Sequence, residues 1–189
     1  GLQDGTLYLV LRNRFEEEIS SFTPDLRKDF NKELEILKKD KRSLMGKLNN
    51  LVGKFAEYQL ATDFRTRKHF PLSVYFSHVT DTTPLNIIDV KLREKFQRSD
   101  GKEMEIDVTA QSECGRVVLV EVKKTKKRTG LEAVETFHEK LAAYKTAASL
   151  SEQQILPGFL SVGGFTEDAL AYCKQNGIGT TEKIEYFMS

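Results

Sequence analysis

Tryptophan is absent from this chain of 189 residues, and cysteine and histidine are scarce, with two of the first and three of the second. Cys114 and Cys173 lie far apart, without Cys-x-x-Cys spacing. They read as reduced thiols of a cytosolic protein; a disulfide between them stays open but has no support. His69, His78 and His138 share no ligand spacing with each other or with the cysteines, which argues against a zinc site. No apolar run approaches the ~18–20 residues that cross a bilayer. The apolar residues 7–11 follow no basic stretch, so no secretory signal is expected. These absences predict a soluble, cytoplasmic protein with no membrane partner.

What is present suits a folded chain with a well-solvated surface: 39% hydrophobic and 30% charged residues. The net charge of +1 hides an uneven distribution. Lys123, Lys124, Lys126, Lys127 and Arg128 crowd six positions, and Arg65, Arg67, Lys68 and His69 form a second cluster. Local basic patches, more than overall charge, would set any attraction to a polyanion. An isolated run of this kind can equally be a solvated loop.

Two architectures are expected, a helical extension over residues 1–50 and a globular domain over 51–189. Residues 16–22 predict a short helix, and residues 23–62 a long one. Thr23 stands at the N-cap, Pro24 where its missing N–H costs nothing, and Asp25 where it complements the dipole. Phe30, Leu34, Leu37, Lys41, Leu44, Leu48, Leu51, Phe55 and Tyr58 then recur at alternating steps of four and three. That is a coiled-coil seam with one polar interruption, and it predicts a partner helix, with a homodimer the expected form. Gly46 and Gly53 are expected to let the helix change direction.

Beyond Arg65 the pattern turns to strands. Residues 70–79 alternate weakly, residues 80–84 read as a turn, and 86–97, 103–111 and 116–124 predict three strands joined by short hairpin loops. Thr129 with Glu132 predicts a capping box for a helix over 131–149. A strand at 158–162, a turn at Gly163-Gly164, a helix over 166–175 ended by Asn176-Gly177, and an edge strand at 184–187 complete the reading. The order implies an α/β protein, a mixed sheet flanked by helices.

The chemistry lies in residues 105–108, EIDV, and 118–123, VLVEVK. Alternation sends Glu121 and Lys123 to one side of their strand, with Cα atoms roughly 6–7 Å apart, and Val118, Val120 and Val122 to the other. An ionised Glu in an apolar strand is costly unless paired or coordinated. A hairpin through Gly115 brings Asp107 to the same end of the sheet. Two carboxylates and an ammonium then converge, an arrangement suited to Mg²⁺, which takes one or two protein carboxylates. A structural ion pair is the plain alternative, and Glu105 could substitute for Asp107 as a ligand.

Asp107, 13 intervening residues, and Glu121-Val122-Lys123 resemble the signature of the PD-(D/E)xK nuclease superfamily, the restriction-endonuclease-like fold. The resemblance implies Mg²⁺ or Mn²⁺ bound on adjacent strands and hydrolysis of DNA or, less often, RNA. It assigns Asp107 and Glu121 as ligands, Lys123 as the residue that positions water, and Glu57, within residues 53–58 (GKFAEY), as an accessory ligand. That last segment is similar to the first helix of archaeal Holliday-junction resolvases. Lys124, Lys126, Lys127 and Arg128 would grip the phosphate backbone. Two departures stand out: Ile106 replaces the superfamily's proline, and Lys140 stands where the exonuclease branch has a Gln followed, after three intervening residues, by a Tyr, here Tyr144. The other readings left open are a catalytically inactive nucleic-acid-binding or assembly module of this fold, and a structural adaptor using the helix alone.

Overall fold

In this computed structural model the backbone is described for residues 24–182, and side chains from residue 31 onward apart from 49, 50, 52 and 53. The helix expected at 16–22, the Thr23 cap and the strand at 184–187 lie outside the described residues. The chain divides into two units, Gly1–Leu48 and Asn49–Ser189. Among the described residues no helix is long and apolar enough to cross a membrane.

Helix α1, Pro24–Arg67, opens on proline and is rich in Leu, Lys and Glu, all good helix formers. It runs unbroken through Gly46 and Gly53, so neither glycine ends it. The helix also outlasts the expected end at residue 62. Leu60, Ala61 and Phe64 continue a helical apolar face and are fully buried. Lys68 then adopts a left-handed conformation (φ 55°), its N–H bonded to the Phe64 carbonyl at 3.2 Å, and closes the helix.

The segment after it bears out the weak alternation over 70–79 only at its start. Only β1, His69–Pro71, is extended, and a 3₁₀ turn covers Leu72–Val74. Leu72, Tyr75 and Phe76 are all buried, a spacing that a turn satisfies and a strand does not. The Tyr75 ring packs edge-on against Phe64 and Phe70, with centroids 5.1 and 4.9 Å away.

Four further elements were readable in advance to within a few residues: β2 (Pro84–Gln97), β3 (Glu103–Ser112), β4 (Val117–Lys123) and α2 (Leu131–Ala147). β5 (Ile155–Ser161), α3 (Glu167–Gln175) and β6 (Gly179–Thr181) follow. The strands form one mixed sheet in sequential order. β1 to β4 pair antiparallel, whereas β4, β5 and β6 are parallel, each parallel step carried by a helix. Gly115, at φ 82°, makes the β3–β4 turn, where an L side chain would be strained.

Two apolar layers sandwich the sheet. Ala56, Leu60 and Phe64 of α1 pack with Val108, Val118, Val120 and Val122 on one face. Val134, Phe137 and Leu141 of α2 and Ala169 and Cys173 of α3 pack with Ile106, Leu119 and Phe159 on the other. Ile106 and Val108, two residues apart, should share a face, yet they belong to opposite cores. The sheet turns over between the pairs Leu92–Val108 and Glu94–Ile106, where Arg93 has φ 53°. A left-handed arginine inside a strand costs on the order of 1–3 kcal/mol and persists only where its surroundings hold it.

The capping expectation at Thr129 also needs correction. Gly130 is the N-cap of α2, with no side-chain cap. Thr129 is buried instead, its hydroxyl 2.7 Å from that of Ser161, and its backbone bridges to Phe165. Burial in the β5 layer outweighs a cap worth about 1 kcal/mol.

Candidate active site

The β3–β4 ladder ends at Val108–Val120, one step short of Asp107 and Glu121, which are level with each other in that register. Here the Asp107 side chain takes over from backbone: its Oδ2 accepts the Val122 N–H at 2.7 Å. Glu121 lies on the α2 side of β4, where the Lys140 ammonium donates to both its oxygens at 2.8 and 2.9 Å. Lys123, next along that side of the strand, is exposed. Asp107 and Lys123 both lie close enough to Glu121 for their charges to act on it.

The electrostatics favour an added cation. Burial pushes the Glu121 carboxyl up to about 7, and the charge of Asp107 pushes the same way, against the opposing pull of Lys140 and Lys123. Two lysine hydrogen bonds thus fail to offset the desolvation. Burial also raises Asp107, opposed by the Val122 N–H and helped by the charge of Glu57. Two carboxylates that resist simultaneous ionisation, beside an exposed ammonium, are the donor set a hard divalent ion satisfies. No group of three or more His, Cys, Asp or Glu side chains placed to hold a metal occurs among the described residues.

Glu57, on α1, is buried with both oxygens engaged: Arg93 Nε lies 3.0 Å from Oε2 and Lys124 Nζ 2.5 Å from Oε1. As the expected accessory ligand, Glu57 would have to share its charge with those two cations. Its charge does reach Asp107. Glu105 acts on Arg93 and Lys95.

The basic loop splits in two. Lys124 is turned inward to Glu57, whereas Lys126, Lys127 and Arg128 are exposed. Gly163 sets the loop's position, since a Cβ there would lie 2.5 Å from the Thr125 and Lys127 carbonyl oxygens. Gly163-Gly164 is thus a packing turn, as expected, with Gly164 at φ 77°. The second basic cluster is partly structural: Arg65 donates to the Val90 carbonyl at 2.8 Å, and Arg67 lies over the Tyr75 ring. Sequence reasoning missed Arg93 as a site residue. It noted Lys140 only as a departure from the exonuclease pattern, although an ammonium one helical turn before a buried Tyr144 was a usable signal.

No family model and no curated protein matches the chain. Among solved structures, it resembles AF1548, a protein of unknown function, at 19% identity and a TM-score of 0.51, over 71% of this chain and 64% of that one. The two share a fold, and this chain spans under two thirds of AF1548. Looser overlaps are with Can2 from Sulfobacillus thermosulfidooxidans, solved with cyclic tetra-adenylate (16% identity, TM-score 0.46, 72% of this chain and 36% of that one). A repair endonuclease from Pyrococcus abyssi overlaps less (15%, 0.36, 49% and 39%).

Proposed function

We propose that this is a metal-dependent nuclease of the restriction-endonuclease-like class, acting in the cytoplasm on DNA. The observation that carries the reading is the meeting of Asp107 and Glu121 where β3 and β4 part, with Lys123 exposed beside them. Asp107 and Glu121 would hold Mg²⁺ or Mn²⁺. Bound there, such an ion supplies Lewis-acid polarisation of the phosphoryl group and a more acidic water. Lys123 orients the attacking water and offsets negative charge growing on the phosphoryl oxygens. Lys126, Lys127 and Arg128 hold the flanking backbone phosphates. Glu57 keeps Lys124 and Arg93 in place along the same edge.

A second reading has its own support. Lys140 already offers Glu121 two hydrogen bonds, and Arg93 with Lys124 already answer Glu57, as in a module that binds nucleic acid without cutting it. One assay separates the two: single-stranded, duplex and branched DNA, with RNA alongside, incubated with Mg²⁺ or Mn²⁺. Cleavage that falls roughly 100-fold or more in both Lys123→Ala and Asp107→Ala supports the nuclease. Retention of DNA without cleavage, unchanged in those variants, supports the binding module.

A further inference from the structure

Most of the large exposed apolar side chains described sit on α1, and Leu34, Leu37, Leu44, Leu48 and Leu51 are between 39% and 66% exposed. They occupy the a and d positions of the seam, with Lys41 at a. Helix residues that flank such a seam decide which way a partner helix runs. The g positions here are Glu33, Asp40, Lys47 and Lys54, two acids followed by two bases, all exposed. We infer that α1 pairs with the α1 of a second copy of this chain in antiparallel orientation.

Antiparallel pairing sets g against g. In the register that places Lys41 opposite the partner's Leu44, Leu37 meets the partner's Leu48, and Leu34 meets the partner's Leu51. The same register puts Asp40 beside the partner's Lys47 and Glu33 beside the partner's Lys54. Every g–g contact is then between opposite charges, and two-fold symmetry doubles each one. A parallel pair would stack Lys41 on the partner's Lys41 in the core. It would also leave Lys47 and Lys54 facing Val52 and Gln59 of the other chain instead of acids. Like charges in a desolvated layer decide against it.

The pairing reaches the candidate site. Leu51, Lys54, Phe55 and Tyr58 share a groove of about 660 Å³ with Glu57 and Arg93. A partner helix lying on Leu51 would therefore touch a residue that lines that groove. The inference stands independently of the nuclease reading.

Full-length chain is weighed by sedimentation equilibrium as wild type, Asp40→Lys, Lys47→Asp and the double exchange. The expected result is a dimer whose dissociation constant rises about tenfold in each single variant and returns to within a few-fold of wild type in the double. In a Cys114→Ser background, Leu37→Cys mixed with Leu48→Cys gives a disulfide-linked dimer, whereas Leu48→Cys alone does not. A monomeric wild type, self-linking of Leu48→Cys, or a double exchange as weak as both singles combined overturns the inference.

Discussion

Glu121 receives both hydrogen bonds that Lys140 can aim at it and still titrates near 7, because burial and Asp107 outweigh them. Its folded value lies above the ordinary 4.5, so its ionisation works against folding. The stabilising contribution of the protonated form is complete below the ordinary value and is lost as pH rises through about 7. In a chelating buffer, the melting temperature of Glu121→Gln relative to wild type should therefore increase between about pH 4.5 and 7 and level off above that. Removing the opposing ammonium in Lys140→Met should move the wild-type loss to higher pH. A difference that stays flat with pH would show that Glu121 is not the group responsible. Glu121 and Lys123 could be placed on one side of β4 from sequence because period-two alternation holds there, whereas Asp107 lies where β3 breaks that alternation. Lys140 and Arg93 act across 19 and 36 residues, on separate elements, and no local pattern announces such contacts.

At the scale of elements, strands and helices with a clean apolar period were legible, and those set by tertiary packing were not. β2, β3, β4 and α2 follow alternation and a helical stripe. Residues 70–79 do not, because aromatic burial around Phe64 decides their course. Thr129 carries a cap signature that its burial against Ser161 overrides. Gly163 holds the basic loop through backbone contact, which no side chain rearrangement can relieve. Gly163→Ala should lower stability by about 1–3 kcal/mol in denaturant titrations and weaken retention of DNA at the same time. Gly46, with open space around its Cβ position, provides the contrast: Gly46→Ala should stabilise the helix. Equal effects of the two substitutions would mean that the loop does not depend on the turn.

Across the whole molecule the nearly neutral net charge leaves attraction to a polyanion to its local patches. Lys126, Lys127 and Arg128 are exposed and clustered, while Arg65 and Arg67 are occupied by Val90 and Tyr75. Replacing the first three with Gln should reduce the salt dependence of duplex binding by up to about 2.7 in log–log slope, at roughly 0.9 per lost phosphate contact. Replacing Arg65 and Arg67 should lower the melting temperature and leave that slope nearly unchanged. Fluorescence anisotropy over a salt series reads both, and a larger slope change from the second pair would reverse the assignment.

Asp107 gives one of its oxygens, Oδ2, to the Val122 N–H to mend the ladder where the strands part. In the proposed nuclease, Oδ1 would be the oxygen without that hydrogen bond, and the one best placed to meet an incoming ion through a single contact. Single-point attachment suits a small ion that insists on six well-spaced neighbours and keeps much of its water. In the proposed nuclease that would favour magnesium, which takes few protein oxygens and keeps several waters.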